Sequence, residues 1–279
     1  MGSFLAPPLA LHKIQAFTAK RRSKFMNLNH GLLAHLFSEG TPLHVMILAL
    51  VGVLAAAYLL GSVNSAIIVS RVFFGEDVRT KGSGNAGTTN VLRNYGKKAA
   101  LFTLLGDMLK TALAIFIAGF VFGFGYFRLC SVSDPCYIAG LFSVIGHIFP
   151  VYYKFRGGKG VLSTATMVLI LSPIVALILI LAFAAIVSFT KFVSLGSVTG
   201  AVLYPVVLNG YILVMTDSMA RPSPFMIAAA IMLAILIVWC HRANLGRISR
   251  GEENKLSFSK KPPEKAATYG DEDEDLDEE

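Results

Sequence analysis

Residues 160–189 read GVLSTATMVLILSPIVALILILAFAAIVSF, an apolar run without a single charged side chain. At about 1.5 Å per residue, roughly 20 apolar residues cross the hydrocarbon core of a bilayer, and this run exceeds that length. Pro173 lies near its middle and removes a backbone donor, so we expect two helices that meet at a break. Each half is short for a straight span, so some backbone here must be buried against protein or water.

Apolar runs recur along most of the chain. They cover residues 44–62, 99–124, 137–153, 193–215 and 225–241. The whole chain is 54% hydrophobic and 15% charged, whereas a typical soluble domain is about 25% charged. Composition and run lengths together predict an all-α integral membrane protein.

The charges between the runs predict the topology. Lys and Arg concentrate in segments 71–98, 154–159 and 242–255, which the positive-inside rule places in the cytoplasm. An even number of crossings must separate Lys159 from His241, and dividing the long run at Pro173 supplies it. We therefore expect about seven transmembrane helices, some short or broken, with the N-terminus outside and the C-terminus inside. The basic N-terminal tail would then lie outside, against the same rule.

The two ends of the chain differ from its middle. Residues 1–42 contain no apolar stretch long enough to span a bilayer, and we expect a disordered or interfacial extension. Residues 271–279 read DEDEDLDEE, and such like-charge blocks predict a disordered acidic tail over 257–279. The membrane domain is expected over 43–256. Cys130 and Cys136 flank a short polar stretch, and the sequence leaves their pairing open.

A glycine-rich segment without acids follows the first apolar run and reads GSGNAGTTNVLR over residues 82–93. Glycines let backbone N–H groups approach a ligand closely, and Arg93 offers a planar fork that suits phosphate oxygens. The literal G-x-G-x-x-G does not indicate dinucleotide binding, because membrane runs flank it instead of a βαβ unit. The segment predicts an anion-binding site.

Two further polar segments lie on the same predicted side of the membrane. Residues 155–160 read FRGGKG before an apolar helix, whose N-terminus attracts anions through its free N–H groups. The preceding residues 146–150 read GHIFP, in which we expect His147 to be structural. Residues 241–247 read HRANLGR, followed by GEENK at 251–255; His241 and Asn244 share a face if this stretch is helical. We therefore expect all three segments to form one site.

Together these segments resemble the PlsY-type, acyl-phosphate-dependent glycerol-3-phosphate acyltransferases of bacteria. That family shows G-S-G-N-x-G-x-T-N-x-x-R, then G-H-x-F-P with F-x-G-G-K-G, then H-x-x-N with a downstream G-x-E-N-K. The likeness runs from about residue 50 to 256, and its motifs match at 82–93, 146–160 and 241–255. Departures include Asn64, where relatives usually have Pro, and Ala243, where an acid is common.

The resemblance implies a reaction and a set of site residues. An acyl group passes from acyl phosphate to the sn-1 hydroxyl of glycerol 3-phosphate, giving 1-acyl-glycerol 3-phosphate (lysophosphatidic acid) and phosphate, the first acylation of phospholipid synthesis. The implied location is the bacterial inner membrane, with the site facing the cytoplasm. The residues expected to bind substrate are Ser83, Asn85, Thr89, Asn90, Arg93, Gly157, Gly158, Lys159, Gly160 and Asn244.

The resemblance also implies the partners. Membrane lipid and a soluble acyl-phosphate-producing enzyme are expected, while no cofactor or metal is implied. A nucleic-acid role is disfavoured because the chain has no basic, aromatic-rich soluble domain. Glu253 is expected to be structural.

Carboxylates are scarce in the membrane domain, and none lies inside the glycine-rich motifs. Because acyl phosphate is already activated, this scarcity favours substrate-assisted proton transfer, with His241 as the alternative base. One rival is an acyl-CoA or acyl-carrier-protein acyltransferase, which commonly has Asp five positions after His. Tyr152 and Gly246 occupy those positions here. The rival in another class is a transporter of organic phosphates.

Overall fold

A computed structural model of the chain describes residues 31–36, 42–123, 134–215 and 223–256. All regular secondary structure in these ranges is helical. Most of the predicted N-terminal extension, the acidic tail and Cys130 lie outside the described residues. The helices, numbered in chain order, are α1 (Gly31–Leu36), α2 (Leu43–Ser62), α3 (Ser65–Phe74), α4 (Thr88–Phe122), α5 (Asp134–Ile148), α6 (Val161–Leu171), α7 (Pro173–Thr190), α8 (Val193–Met215), α9 (Pro224–Cys240) and α10 (Arg242–Ser249).

Five helical segments in the described ranges are long and apolar enough to cross a membrane. A sixth is added if α9 and α10, which bend by 52° at their junction, count as one span. Large apolar side chains on these segments are exposed, as lipid-facing side chains would be; examples are Leu48, Leu105, Phe120, Leu181, Val206 and Ile235. The total of seven crossings and the orientation of the termini stay predictions.

The expected break in the long apolar run is present. α6 ends at Leu171 and α7 begins at Pro173. Proline is tolerated at a first helical position, where its missing N–H would have no partner within the helix. α6 has 11 residues, roughly 16 Å, whereas α7 has 18 residues and is long enough to span. Only the first half is therefore short, and the expectation that both halves are short is wrong.

α4 differs most from the sequence prediction. Hydropathy places its start near residue 99, but the helix begins at Thr88, inside the glycine-rich segment. At Gly96 the helix is kinked, with φ 84° and ψ −175°, a backbone conformation that glycine adopts readily. The polar residues from Thr88 to Arg93 therefore lie on a helix rather than in a loop.

α2 and α5 pack closely through small residues. A Cβ on Gly61 would overlap the backbone of Ser143, and a Cβ on Gly146 would overlap the carbonyl oxygen of Tyr58. Small residues permit such close backbone approach between membrane helices. A separate buried apolar cluster lies with the polar segments and consists of Ala66, Ile67, Val69, Val78, Ala86, Val91, Ala99 and Ala100.

Candidate active site

Asn90 organises residues 82–93, which we call the glycine segment. Its side chain is 2% exposed; Oδ1 accepts from the Ser83 N–H at 3.0 Å, and Nδ2 donates to the carbonyl oxygens of Val78 and Lys81 at 3.1 and 3.0 Å. A buried amide with its donors and acceptor engaged in this way stabilises a loop backbone. The side-chain amide of Asn90, which was predicted to bind substrate, is thus engaged by the backbone within the segment and just before it.

Three other predicted residues, Ser83, Asn85 and Thr89, lie near the N-terminus of α4. The Ser83 side chain is exposed, and Asn85 and Thr89 are half-buried. The first N–H groups of a helix have no partner within it and carry partial positive charge, which favours an anion at this position. Thr88 Oγ1 is buried here without a hydrogen-bond partner among the described residues.

Arg79 lies just before the glycine segment and connects it to the loop that precedes α6. Sequence reasoning missed this role. Its guanidinium donates to the carbonyl oxygens of Tyr153 and Arg156, both at 3.1 Å, and pairs with Asp77 at 2.7 Å. The Arg79 guanidinium holds the pKa of Asp77 well below its usual range. In sequence, Arg79 is indistinguishable from the other positive charges of a cytoplasmic loop.

Residues 157–160, which we call the lysine segment, pack too tightly for side chains at their glycines. The N–H groups of Gly157 and Gly158 donate to the carbonyl oxygens of Ile148 and His147, each at 3.1 Å. A Cβ on Gly158 would overlap His147 Nε2 and lie 2.8 Å from the Ala86 carbonyl oxygen. Since Ala86 belongs to the glycine segment, the two segments meet at Gly158.

The lysine segment ends at a second helix N-terminus. Gly160 has a φ of 78°, in the region that favours glycine, and it precedes α6 directly. The structure therefore presents one helix N-terminus beside each of the two glycine-rich segments. Both sites could hold phosphate oxygens through backbone N–H groups.

Lys159, Asn244 and Glu253 form a chain of hydrogen bonds. Lys159 Nζ donates to Asn244 Oδ1, and Asn244 Nδ2 donates to Glu253 Oε1 at 2.6 Å. Glu253 also accepts from Ser194 Oγ and from Arg247 Nε, each at 2.8 Å. Glu253 therefore holds residues 241–255, which we call the third segment, against α8 and beside the lysine segment.

His241 and Arg93 lie beside this chain. His241 occupies the junction of α9 and α10, and its Nδ1 is 2.8 Å from the Ile237 carbonyl oxygen. Because a carbonyl only accepts, Nδ1 carries the proton and Nε2 keeps a free lone pair. Arg93 is exposed and donates to the Asn254 carbonyl oxygen at 3.3 Å, which joins the glycine segment to the third segment.

The charge state of the site follows from burial. Burial lowers the pKa of Lys159 to about 8, against the opposing charge of Glu253. Burial and the Lys159 charge lower the pKa of His241, just beyond α9, to about 4. At neutral pH the site thus holds a cationic lysine next to a neutral histidine. This pair suits binding of anions, while a histidine of such low basicity is a weak proton acceptor.

The fold defines a multi-pass membrane protein, and within the described residues the glycine, lysine and third segments meet beside Arg93 and Lys159. Within the ranges described above, no three His, Cys, Asp or Glu side chains come together as a metal site would require. The sequence model of the glycerol-3-phosphate acyltransferases matches residues 51–251. The chain belongs to the glycerol-3-phosphate acyltransferase family.

Individual relatives agree with this assignment. The glycerol-3-phosphate acyltransferase of Syntrophomonas wolfei is 39% identical over 204 residues, which cover 73% of this chain and 95% of the relative. That of Paraburkholderia phytofirmans is 36% identical over 222 residues, covering 79% and 97%. The chain is therefore an acyltransferase that acts on glycerol 3-phosphate in phospholipid synthesis.

Solved structures confirm the fold class. The crystal structure of PlsY, an integral membrane glycerol 3-phosphate acyltransferase, in its glycerol 3-phosphate form is 32% identical with a TM-score of 0.62, covering 75% of this chain and 96% of that one. Its lysophosphatidic acid form is 30% identical with a TM-score of 0.61, covering 75% and 95%. The predicted PlsY resemblance and the all-α integral membrane class are both confirmed.

Proposed function

We propose that the chain transfers an acyl group from acyl phosphate to the sn-1 hydroxyl of glycerol 3-phosphate at the cytoplasmic face of a bacterial inner membrane. The observation that carries this proposal is the convergence of two helix N-termini, Arg93 and Lys159 on one site. Both substrates carry phosphate, so a site for the reaction needs two sets of anion donors. A single phosphate would not require both.

The proposed roles divide between binding and shaping. Ser83, Asn85, Thr89 and the Arg93 fork bind one phosphate at the N-terminus of α4. Lys159 and the backbone of Gly157, Gly158 and Gly160 bind the other at the N-terminus of α6, with Asn244 orienting the lysine. His147 and Glu253 hold the backbone, and Asn90 holds the glycine segment.

The chemical step needs little from the protein beyond position. The hydroxyl oxygen of glycerol 3-phosphate attacks the acyl carbonyl, the bond from that carbonyl to the phosphate oxygen breaks, and the departing phosphate takes the hydroxyl proton. The products are lysophosphatidic acid and inorganic phosphate. Fixed donors stabilise the carbonyl oxyanion and the leaving phosphate. Glu253 is not placed to act as the base, because Ser194, Asn244 and Arg247 already donate to it.

The variant His241→Gln distinguishes between the two candidate proton acceptors, the substrate phosphate and His241. If the substrate phosphate takes the proton, Gln should lower kcat by no more than about tenfold, the effect of one lost hydrogen bond. Steady-state kinetics on detergent-purified protein measures this. A loss of about 10³-fold or more, in a variant of unchanged melting temperature, would make His241 the base.

The pH dependence of kcat/KM for glycerol 3-phosphate should follow Lys159. The lysine is charged below its pKa of about 8 and neutral above it, so kcat/KM should fall as pH rises through that value. In Lys159→Arg the falling limb should move above the measurable range, because arginine stays charged. A falling limb at the same pH in this variant would show that another group titrates.

The donor is tested by offering several donors to one preparation. Purified protein with labelled glycerol 3-phosphate should form lysophosphatidic acid from acyl phosphate and none from acyl-CoA or acyl-carrier protein. Equal rates with acyl-CoA would overturn the proposed donor. Uptake of label into sealed vesicles without product would favour the transporter alternative.

We propose a soluble acyl-phosphate-producing enzyme as the supplier of acyl phosphate, because a mixed anhydride hydrolyses in water.

A further inference from the structure

Three ionisable side chains are buried together next to the two segments, and none of them takes part in the proposed chemical step. They are Asp107 and Lys110 on α4 and His147 on α5, which are 1%, 5% and 4% exposed. Ionisable groups within membrane helices are costly to bury, and they commonly have a functional reason to be there. We call these three residues the buried cluster.

The Lys110 ammonium is surrounded by acceptors. Its Nζ lies 2.7 Å from the Val63 carbonyl oxygen, 2.9 Å from Asp107 Oδ1 and 2.9 Å from His147 Nδ1. An ammonium cannot accept, so it donates to the Val63 carbonyl oxygen and to His147 Nδ1, which must be unprotonated, and it forms an ion pair with Asp107. The Asp107 charge balances the lysine charge. The Lys110 ammonium therefore contacts Val63 just after α2, Asp107 on α4 and His147 on α5.

The contact of Lys110 with Val63 connects it to the glycine segment through Asn64. Val63 and Asn64 form the break between α2 and α3, and Asn64 Oδ1 caps α3 by accepting from the Ile67 N–H at 3.1 Å. Asn64 Nδ2 donates to the Ala86 carbonyl oxygen at 3.3 Å. By holding Val63, Lys110 thus fixes the break from which Asn64 reaches the glycine segment.

The contact of Lys110 with His147 connects it to the lysine segment at Gly158. The His147 ring that Lys110 binds lies directly against Gly158, and the His147 carbonyl oxygen accepts from the Gly158 N–H at 3.1 Å. Ala86 and His147 are both neighbours of Gly158. The two routes from Lys110 therefore end at the point where the glycine and lysine segments meet.

We propose that Lys110 is a positioning residue for glycerol 3-phosphate binding: it sets the separation of the two phosphate-binding segments by holding Val63 and His147 at once. Asp107 supplies the balancing charge and is secondary. The inference rests on the proposed site, although it does not depend on which acyl donor is used.

The test compares Asp107→Asn, Lys110→Met and the double variant, with Thr111→Val as the control. Thr111 is a fully buried polar neighbour on the same helix; its Oγ1 accepts from Ser143 Oγ and donates to the Asp107 carbonyl oxygen, both at 3.3 Å, and neither bond reaches the two segments. Lys110→Met leaves Asp107 unpaired and should lower the melting temperature; the double variant removes both charges and should recover it. Melting temperature, kcat and KM for glycerol 3-phosphate are measured for each.

The split between KM and kcat distinguishes positioning from charge balance. In the double variant KM should remain at least about tenfold raised, with kcat within about threefold, because methionine cannot hold Val63 or His147. Asp107→Asn and Thr111→Val, which keep the lysine, should stay within about threefold of the wild-type KM. A role in stability alone would lower the active fraction, and hence the maximal rate, without changing KM.

Three results would overturn the inference. They are a wild-type KM in a double variant of recovered melting temperature, a double variant that does not fold, and an Asp107→Asn variant whose KM rises as much as that of Lys110→Met. Failure of the proposed function gives a different result, since the wild-type protein would then make no product from acyl phosphate. The two failures are therefore distinguishable.

Discussion

Replacement of Lys159 by methionine should lower kcat/KM for glycerol 3-phosphate by about 10³-fold, equivalent to about 4 kcal/mol. Methionine keeps the length of the side chain and removes its charge. The loss should be large because Lys159 is largely withdrawn from water, where a contact between charge and phosphate is weakly screened. Steady-state kinetics over a range of glycerol 3-phosphate concentrations measures it.

Lys98→Met is the matched control for this prediction. Lys98 lies on α4 beyond the kink at Gly96 and is exposed, so its charge is screened by solvent and salt. We expect kcat/KM within about twofold of wild type. The role of Lys159 would be contradicted if Lys159→Met, with an unchanged melting temperature, kept more than a tenth of the wild-type kcat/KM.

Gly158→Ala should lower kcat/KM for glycerol 3-phosphate almost as much as Lys159→Met, although it adds only one methyl group. The added Cβ would overlap His147 Nε2 and lie 2.8 Å from the Ala86 carbonyl oxygen. Neither neighbour can move freely, because the Gly158 N–H binds the His147 carbonyl oxygen and Asn64 holds Ala86. The two segments must separate, and we expect a loss of at least about 100-fold in kcat/KM, since small displacements of binding groups have effects of this size.

Gly200→Ala controls for the general effect of a glycine substitution. Gly200 lies within α8, and a Cβ there would meet no atom within 4 Å. This variant should match or slightly exceed the wild-type melting temperature, because alanine favours helix over glycine. Equal activity of Gly158→Ala and Gly200→Ala would show that the two segments do not need to touch at Gly158.

Apolar run length predicted much of the fold. The runs at 44–62 and 225–241 correspond closely to α2 and α9, and the break at Pro173 follows from the chemistry of proline. Hydropathy missed α3 and the first turns of α4 for a physical reason. Their ends are set by single residues, the Asn64 cap and the Gly96 kink, which an average over many side chains does not register.

The sequence predicted which residue types occupy the candidate site better than it predicted their contacts. Lys159 and Asn244 were expected in one site, and the structure joins them directly. The hydrogen bonds of Arg79 with Tyr153 and of Lys110 with Val63 link residues far apart in the chain, so no local pattern reveals these contacts. Asn90 was predicted as a ligand because its type suits phosphate, yet its side chain binds backbone groups of Val78, Lys81 and Ser83.

Equilibrium binding of radiolabelled glycerol 3-phosphate to the purified protein, without an acyl donor, tests the central claim most directly. The claim is that the glycine, lysine and third segments form one site for this anion. Wild-type protein and Lys98→Met should bind one molecule per chain with equal affinity, and Arg93→Ala and Lys159→Met should each bind far more weakly. Undiminished binding by both folded variants would contradict the account.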